Sequence, residues 1–265
     1  MTRRLSLVLG STACCLCLGA LLVSSGCGLP PGQPATPQRP TFCFSPATTA
    51  AGTWEVEAGI VVEPGDYAEI PTTWKYGLDE HTEVSIAASP VVHVDHDTGY
   101  GDMGLGWRHR FIDADGGSPA FALLAFVKLP TADEDRGLGS GQTDYFGGAT
   151  AGATIGQFTW NAFLQLGAVG VEHEDPDLEC DASLMGTWAF DAQNGSFAEL
   201  VDRDIHEQDL HSVQLRVGQY FTVRPDFVLD ASIYLPINDD APDTLFALGF
   251  TRNLGGRPAT PRPAP

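Results

Sequence analysis

GDMGLGWRHRF (101–111), DADGG (113–117), SPAFALLAFVKLP (118–130), TADEDRGLGSGQT (131–143) and DYFGGATAGATI (144–155) follow one another with only Ile112 intervening, and their reading decides the fold. In the first stretch Met103, Leu105, Trp107 and Phe111 fall on one face, with Gly104, Gly106, Arg108 and Arg110 on the other. In the third, Phe121, Leu123, Ala125, Val127 and Leu129 oppose Ala122, Leu124, Phe126 and Lys128. A period of two is the signature of a β-strand with one apolar face, and DADGG supplies the turn residues of a hairpin. The breakers leave no room for a helix of ordinary length. The segment reads as long antiparallel strands joined by one tight turn and one long acidic, glycine-rich loop.

Outward from this stretch the pattern repeats. Strands are predicted near 53–62, 68–78, 82–94, 101–112, 118–130, 143–155, 158–171, 183–190, 197–203, 210–221, 227–236 and 243–252. Their number is even, and their connections alternate between long acidic links and short ones, as the outer loops and periplasmic turns of an outer-membrane barrel do. Trp160, Ala162, Leu164, Leu166 and Ala168 alternate with Thr159, Asn161, Phe163 and Gln165. Phe227, Leu229, Ala231, Ile233 and Leu235 alternate with Val228, Asp230, Ser232 and Tyr234. An outward lipid-facing band and a polar interior require this alternation. Trp54, Trp74, Tyr76, Trp107, Tyr145, Trp160 and Trp188 stand near strand ends or on the apolar face, where interfacial girdles form. The fold class is therefore all-β: an antiparallel transmembrane β-barrel of about 12 strands.

The flanks read differently. Residues 1–26 have an export signal's basic start and apolar run. Cys27 after Gly26 is similar to a lipoprotein cleavage site, although Ser24 stands where that pattern prefers Leu; a plain signal peptide is the other reading. Residues 27–52 are rich in proline and small polar residues and are expected to be a disordered leader, residues 53–252 the barrel, and 253–265 a disordered tail. With Cys43 in a periplasmic leader and Cys180 in an external loop, no disulfide between them is expected across a bilayer core of about 30 Å.

Composition narrows the function classes. The 265-residue chain carries a formal net charge of −20, with lysine only at positions 75 and 128, so no basic surface exists to meet nucleic acid. No nucleophile-elbow, zinc-spacing or phosphate-loop motif occurs. His211-Ser212 is the one His-Ser neighbour pair, and adjacent strand positions point to opposite faces. An enzyme is not expected, and no cofactor is implied.

Gly101-Asp102, Lys128-Leu129-Pro130-Thr131, Gly137-Leu138-Gly139-Ser140-Gly141 and Asp144-Tyr145, in that order, resemble the outer-membrane barrels of the phenol-degradation meta-pathway transporter family. The chain has Ala132-Asp133 where that family usually has Gly-Asp. The resemblance implies a barrel in the cell outer membrane, surrounded by lipid and lipopolysaccharide and inserted by the outer-membrane assembly machinery.

Charges on the lumen face are the candidate site. Asp102, Arg108, Arg110, Lys128, Asp144, Arg216 and Asp230 are expected to line the lumen or its constriction. Folding the hairpins is expected to set Lys128 between Asp102 and Asp144 at the outer mouth, under the glycine-rich loop; three separately hydrated lumen charges are the alternative. His93, Asp95 and Asp97 share a face in extended chain and form a candidate divalent-cation site; a solvated acidic rim is the alternative. With Phe126, Phe146, Phe163 and Tyr234 also inward, the lumen suits small amphipathic solutes. The first functional reading is a passive outer-membrane transporter or channel for small, aromatic or hydrophobic solutes. The alternative is a structural or surface-interaction barrel with a plugged lumen.

Overall fold

A computed structural model describes residues 32–170, 176–206 and 210–256. In chain order the strands are β1 (Thr53–Glu63), β2 (Tyr67–Glu69), β3 (Thr72–Gly77), β4 (Thr82–Ala88), β5 (Val92–Val94), β6 (Asp97–Gly99), β7 (Met103–Ile112) and β8 (Ala120–Leu129). There follow β9 (Asp144–Ile155), β10 (Phe158–Val169), β11 (Asp177–Ala189), β12 (Asn194–Ile205), β13 (Leu210–Arg224), β14 (Phe227–Pro236) and β15 (Leu245–Gly256). The three short strands β2, β5 and β6 extend the outer end of β1 as a flap. The other twelve form the wall of a closed antiparallel barrel, sealed where β15 pairs with β1 from Thr53↔Gly256 to Val62↔Phe246. Closure leaves the wall with no free edge, which a strand-built membrane protein needs because lipid cannot hydrogen-bond an exposed backbone.

The wall is apolar outside and charged inside. Leu164, Leu166, Leu184 and Leu248 are 64%, 60%, 61% and 59% exposed, whereas Glu55, Lys75, Glu83 and Glu199 are at most 2% exposed. That inverts a water-soluble domain and matches a barrel whose outer face meets lipid. Trp54, Trp74, Trp107, Tyr145 and Trp188 lie outward; Tyr76 and Trp160 are half-buried. At the short-turn end, Asp79 accepts from the His81 and Thr82 amides at 2.8 Å each and from the Thr82 hydroxyl at 2.9 Å. These bonds, the His81 amide's first, hold its carboxyl below the usual range. Asp113, in the next turn, is held low mainly by its bond to the His81 ring.

Several sequence-based boundaries move. The strand expected over 183–190 begins at Asp177, so Cys180 lies in β11, between Leu166 and Asp204, and not in a loop. Its acidic run reads as loop, yet Glu179 and Asp181 alternate inward to meet Arg203 of β12. The strand expected over 82–94 breaks after Ala88, at Ser89-Pro90, because proline offers no ladder donor. β15 runs to Gly256, past the predicted end at 252, with Asn253 donating to the Thr53 hydroxyl at 3.0 Å. The signal peptide with Cys27, and residues 257–265 of the tail, lie outside the described residues.

The largest correction concerns the leader. Residues 32–52 are not a disordered spacer; they fold into the lumen from the end where β1 begins and β15 finishes. Gln38, Cys43, Thr48 and Thr49 are buried. Cys43 joins Phe163, Met185 and Phe197 in the hydrophobic cluster, with Phe42, Phe44, Leu124 and Tyr220 packed around it. Lys75 of β3 ties leader to wall: its ammonium lies 2.5 Å from Glu55, 2.6 Å from Glu57 and 2.8 Å from the Thr36 carbonyl. Lys75→Ala strips the one cation that, among the described residues, pairs with both buried glutamates. The variant is expected to lose about 3–5 kcal/mol, the range for breaking a buried pair, read as unfolding of the purified barrel in detergent. Lys75→Arg should retain most of the stability.

Candidate functional site

The plug is a bent segment whose two limbs both rise from the periplasmic end. The first limb climbs beside β1 and β15. The Thr36 amide and hydroxyl each donate to Glu55 at 2.9 Å, and the Gln38 and Arg39 amides donate to Glu57 at 2.8 and 3.2 Å. The Arg39 guanidinium pairs with Asp230 at 3.0 Å and donates to the Leu248 carbonyl at 3.1 Å. It can lie flat on the wall because its two neighbours are Gly59 and Gly249; a Cβ at either would stand 2.2–2.4 Å from guanidinium atoms. Tyr234 donates to the Pro40 carbonyl at 2.6 Å.

At the apex the chain crosses the lumen. Glu199 of β12 accepts the Phe42 and Cys43 amides at 3.1 and 2.5 Å and the Ser183 hydroxyl at 2.7 Å. Phe42 and Phe44 meet Phe163 of β10 edge-on, with ring centroids 5.7 and 5.4 Å away. Three guanidiniums face these rings: Arg108 over Phe44 at 5.2 Å, and Arg203 and Arg216 over Phe42 at 5.7 Å each. The second limb descends along β7 and β4. Arg108 donates to the Ser45 and Ala47 carbonyls at 3.0 and 2.9 Å and pairs with Glu83 at 3.1 Å. Glu83 accepts the Thr49 amide and hydroxyl at 2.8 and 2.7 Å. Gln38 links the limbs, bonding Ser45 through both ends of its side-chain amide.

The outer mouth holds a second cluster. Lys128 of β8 lies 3.3 Å from Asp102 and 2.7 Å from Asp144, and also donates to the Ser140 hydroxyl. Asp102 accepts the Thr131 and Ala132 amides at 3.0 Å each and the Ser140 amide at 3.4 Å, so both ends of the glycine-rich loop hang from one carboxylate. The loop's far side is fixed by Arg136, paired with Asp97 at 3.0 Å, and by buried Leu138, seated where Gly99 leaves room for its methyl.

The sequence-predicted residues thus fall into two groups. Asp102, Lys128 and Asp144 come together and hold the outer loop. Arg108, Arg110, Arg216 and Asp230 face the plug: Arg110 donates to the Thr48 hydroxyl at 3.0 Å, and Arg216 stacks on Tyr234 at 4.2 Å. His93, Asp95 and Asp97 do not converge. His93 bonds Thr98, Asp97 is taken by Arg136, and no group of three metal-ligating side chains occurs among the described residues. Cys43 and Cys180 are both free, but for a reason other than the expected one: Cys43 is buried at the plug apex and Cys180 is exposed on β11. The sequence reading missed Arg39, Glu83 and Glu199 as partners of the plug. Two phenylalanines in Thr41-Phe42-Cys43-Phe44 were the available signal, since a solvated spacer has no use for them.

Between the plug apex and the outer mouth lies a 260 Å³ cavity walled by Phe44, Leu124, Phe126 and Phe146 and edged by the Glu83–Arg108 and Glu179–Arg203 pairs. Above it, a 450 Å³ space opens under the loop, reaching Tyr67, Lys128 and Leu138.

A closed twelve-stranded barrel, lipid-facing outside and charged within, defines an outer-membrane β-barrel of the porin type. The chain belongs to the family described as "Putative MetA-pathway of phenol degradation", whose model matches residues 47–254. Among solved structures it is similar to an outer membrane channel from Pseudomonas putida F1 (11% identity, 78% of this chain and 97% of that one, TM-score 0.59). It is also similar to the NanC porin (7%, 75% and 98%, 0.58) and the KdgM porin (6%, 75% and 98%, 0.55). At these identities the likeness is one of fold. Comparison with curated proteins gave no match.

Two measurements check the site. Cys43, 1% exposed, reports whether the plug is seated. Wild-type Cys43 is expected to resist maleimide until the barrel is denatured, while Arg39→Ala exposes it. Each loss of about 1.4 kcal/mol in seating should raise the labelling rate about tenfold. At the mouth, a double-mutant cycle of Lys128→Ala with Asp144→Ala, read as thermal unfolding, is expected to show coupling above about 0.5 kcal/mol, the limit of ordinary additivity.

Proposed function

We propose that the barrel is a passive channel for small, aromatic or hydrophobic solutes, with the N-terminal segment as its constriction. The observation that supports this reading most is the cavity above the plug. Phe44, Leu124, Phe126 and Phe146 supply its apolar wall, Ser85 and Gln165 add polar groups, and charge is confined to two paired edges. An apolar cavity of about 150 Å³ is enough to take up benzene, and this one measures 260 Å³. Lipid and lipopolysaccharide around the outer belt, the assembly machinery and the solute itself are the partners that belong to this reading. The gradient drives flow, and no cofactor takes part.

The alternative, a structural or surface-interaction barrel, draws on one observation: buried ion pairs hold the plug against the wall in the periplasmic half of the lumen. Planar-bilayer recordings of the full-length protein separate the two. A channel is expected to carry current that a monocyclic aromatic solute blocks, with the block weakened in Phe126→Ala and Phe146→Ala. A barrel silent under all conditions supports the alternative.

A further inference from the structure

We propose that solutes cross beside the seated plug, along the β7–β10 side of the lumen, and that the Phe44 ring is the gate on that path. This rests on the channel reading above and adds a route and a residue to it.

The lumen is not filled evenly around the plug. On the β1, β14 and β15 side the first limb is bonded to the wall at almost every residue from Thr36 to Pro40, and Arg39 lies on two glycines with no space beneath it. On the opposite side two spaces share the same wall strands. The 260 Å³ cavity reaches Arg108, Leu124 and Gly148 from outside. A 600 Å³ cavity at the periplasmic end reaches Arg110, Ala120 and Gly152, with Ser45, Pro46 and Ala47 of the plug as its inner wall. On β8 Leu124 and Ala120 are separated by one inward position, and so are Gly148 and Gly152 on β9, whereas Arg108 and Arg110 are successive inward positions of β7. The two intervening positions, Ala122 on β8 and Thr150 on β9, together with the Phe44 ring, form the septum between the two spaces.

The septum is thin and has one movable part. Ala122 is small and wholly buried. The Thr150 hydroxyl donates to the Phe44 carbonyl, which pins the plug backbone there, and Arg108 pins the next carbonyls at Ser45 and Ala47. The Phe44 side chain packs at the edge of the Cys43–Phe163 cluster, with ring contacts to Phe163 at 5.4 Å and Arg108 at 5.2 Å, and it keeps part of its surface in the upper cavity. Turning one partly exposed ring out of these contacts costs less than lifting out a plug held by several buried ion pairs.

The test uses full-length variants in planar bilayers, each first shown to be folded by its heat-shifted gel mobility. Cys43 maleimide labelling reports whether the plug is still seated. Phe44→Ala is expected to raise conductance several-fold with Cys43 still shielded, and Ala122→Leu, which thickens the septum from the wall side, to lower it. Conductance of Phe44→Ala equal to wild type, with Arg39→Ala conducting and its Cys43 labelled, would overturn the proposal and leave the channel reading standing. An increase in Phe44→Ala accompanied by Cys43 labelling also overturns it, since the plug has then moved. Silence in all three variants removes the channel reading itself.

Discussion

Glu55, Glu57, Glu83 and Glu199 point into the lumen with at most 5% of their surface exposed, and each accepts hydrogen bonds from backbone amides between Thr36 and Thr49. The rest of the interior depends on this contact. A buried carboxylate costs several kcal/mol unless its oxygens are filled by donors. A strand wall cannot supply them, because its own amides are spent on the ladder. The leader can: residues without secondary structure of their own carry unspent amides, and each glutamate ties down a different stretch. The leader needs the glutamates equally, since its buried amides would otherwise lack acceptors. Barrel and plug satisfy one another.

The cations complete the arrangement. Lys75, Arg108 and Arg39 each bridge a wall carboxylate and the plug or its backbone, so that every carboxylate along the two limbs has a cation against it, Glu55 and Glu57 sharing Lys75. Arg216 and Arg203 lie over the aromatic apex. The middle of the lumen is thus a true hydrophobic core of Phe163, Met185 and Phe197 closed by Phe42, Cys43 and Phe44, a packing more typical of a domain interior than of an aqueous pore. Above that level the lumen opens, and there the aromatic walls and the loop held by Asp102 and Lys128 determine what can enter.

The wall was legible in the sequence because the pleat forces alternate side chains to opposite faces. Leu164 and Gln165, or Leu229 and Asp230, cannot share an environment in a strand. The same reasoning placed Asp102, Lys128 and Asp144 on one face at one end, where they meet. It failed where order comes from partners distant in sequence. Residues 32–52 show no period and many prolines, so composition alone assigns them to disorder; their order comes from wall residues as far along the chain as Glu199 and Asp230. The acidic start of β11 failed for a related reason. Glu179 and Asp181 read as solvated loop until Arg203, on the next strand, supplies their partner. His93, Asp95 and Asp97 shared a face only on the assumption of an extended chain, and the turn at Asp95, with its positive φ of 51°, removes that assumption.

The N-terminal segment is a fixed part of the barrel interior, and amide hydrogen exchange reports on its seating. In detergent micelles or nanodiscs, the amides of Thr36, Gln38, Arg39, Phe42, Cys43 and Thr49 are expected to exchange as slowly as those of β9 and β10, because each donates to a buried glutamate. Exchange of this segment within seconds, at the rate of an unstructured peptide and beside a protected barrel, would contradict the account.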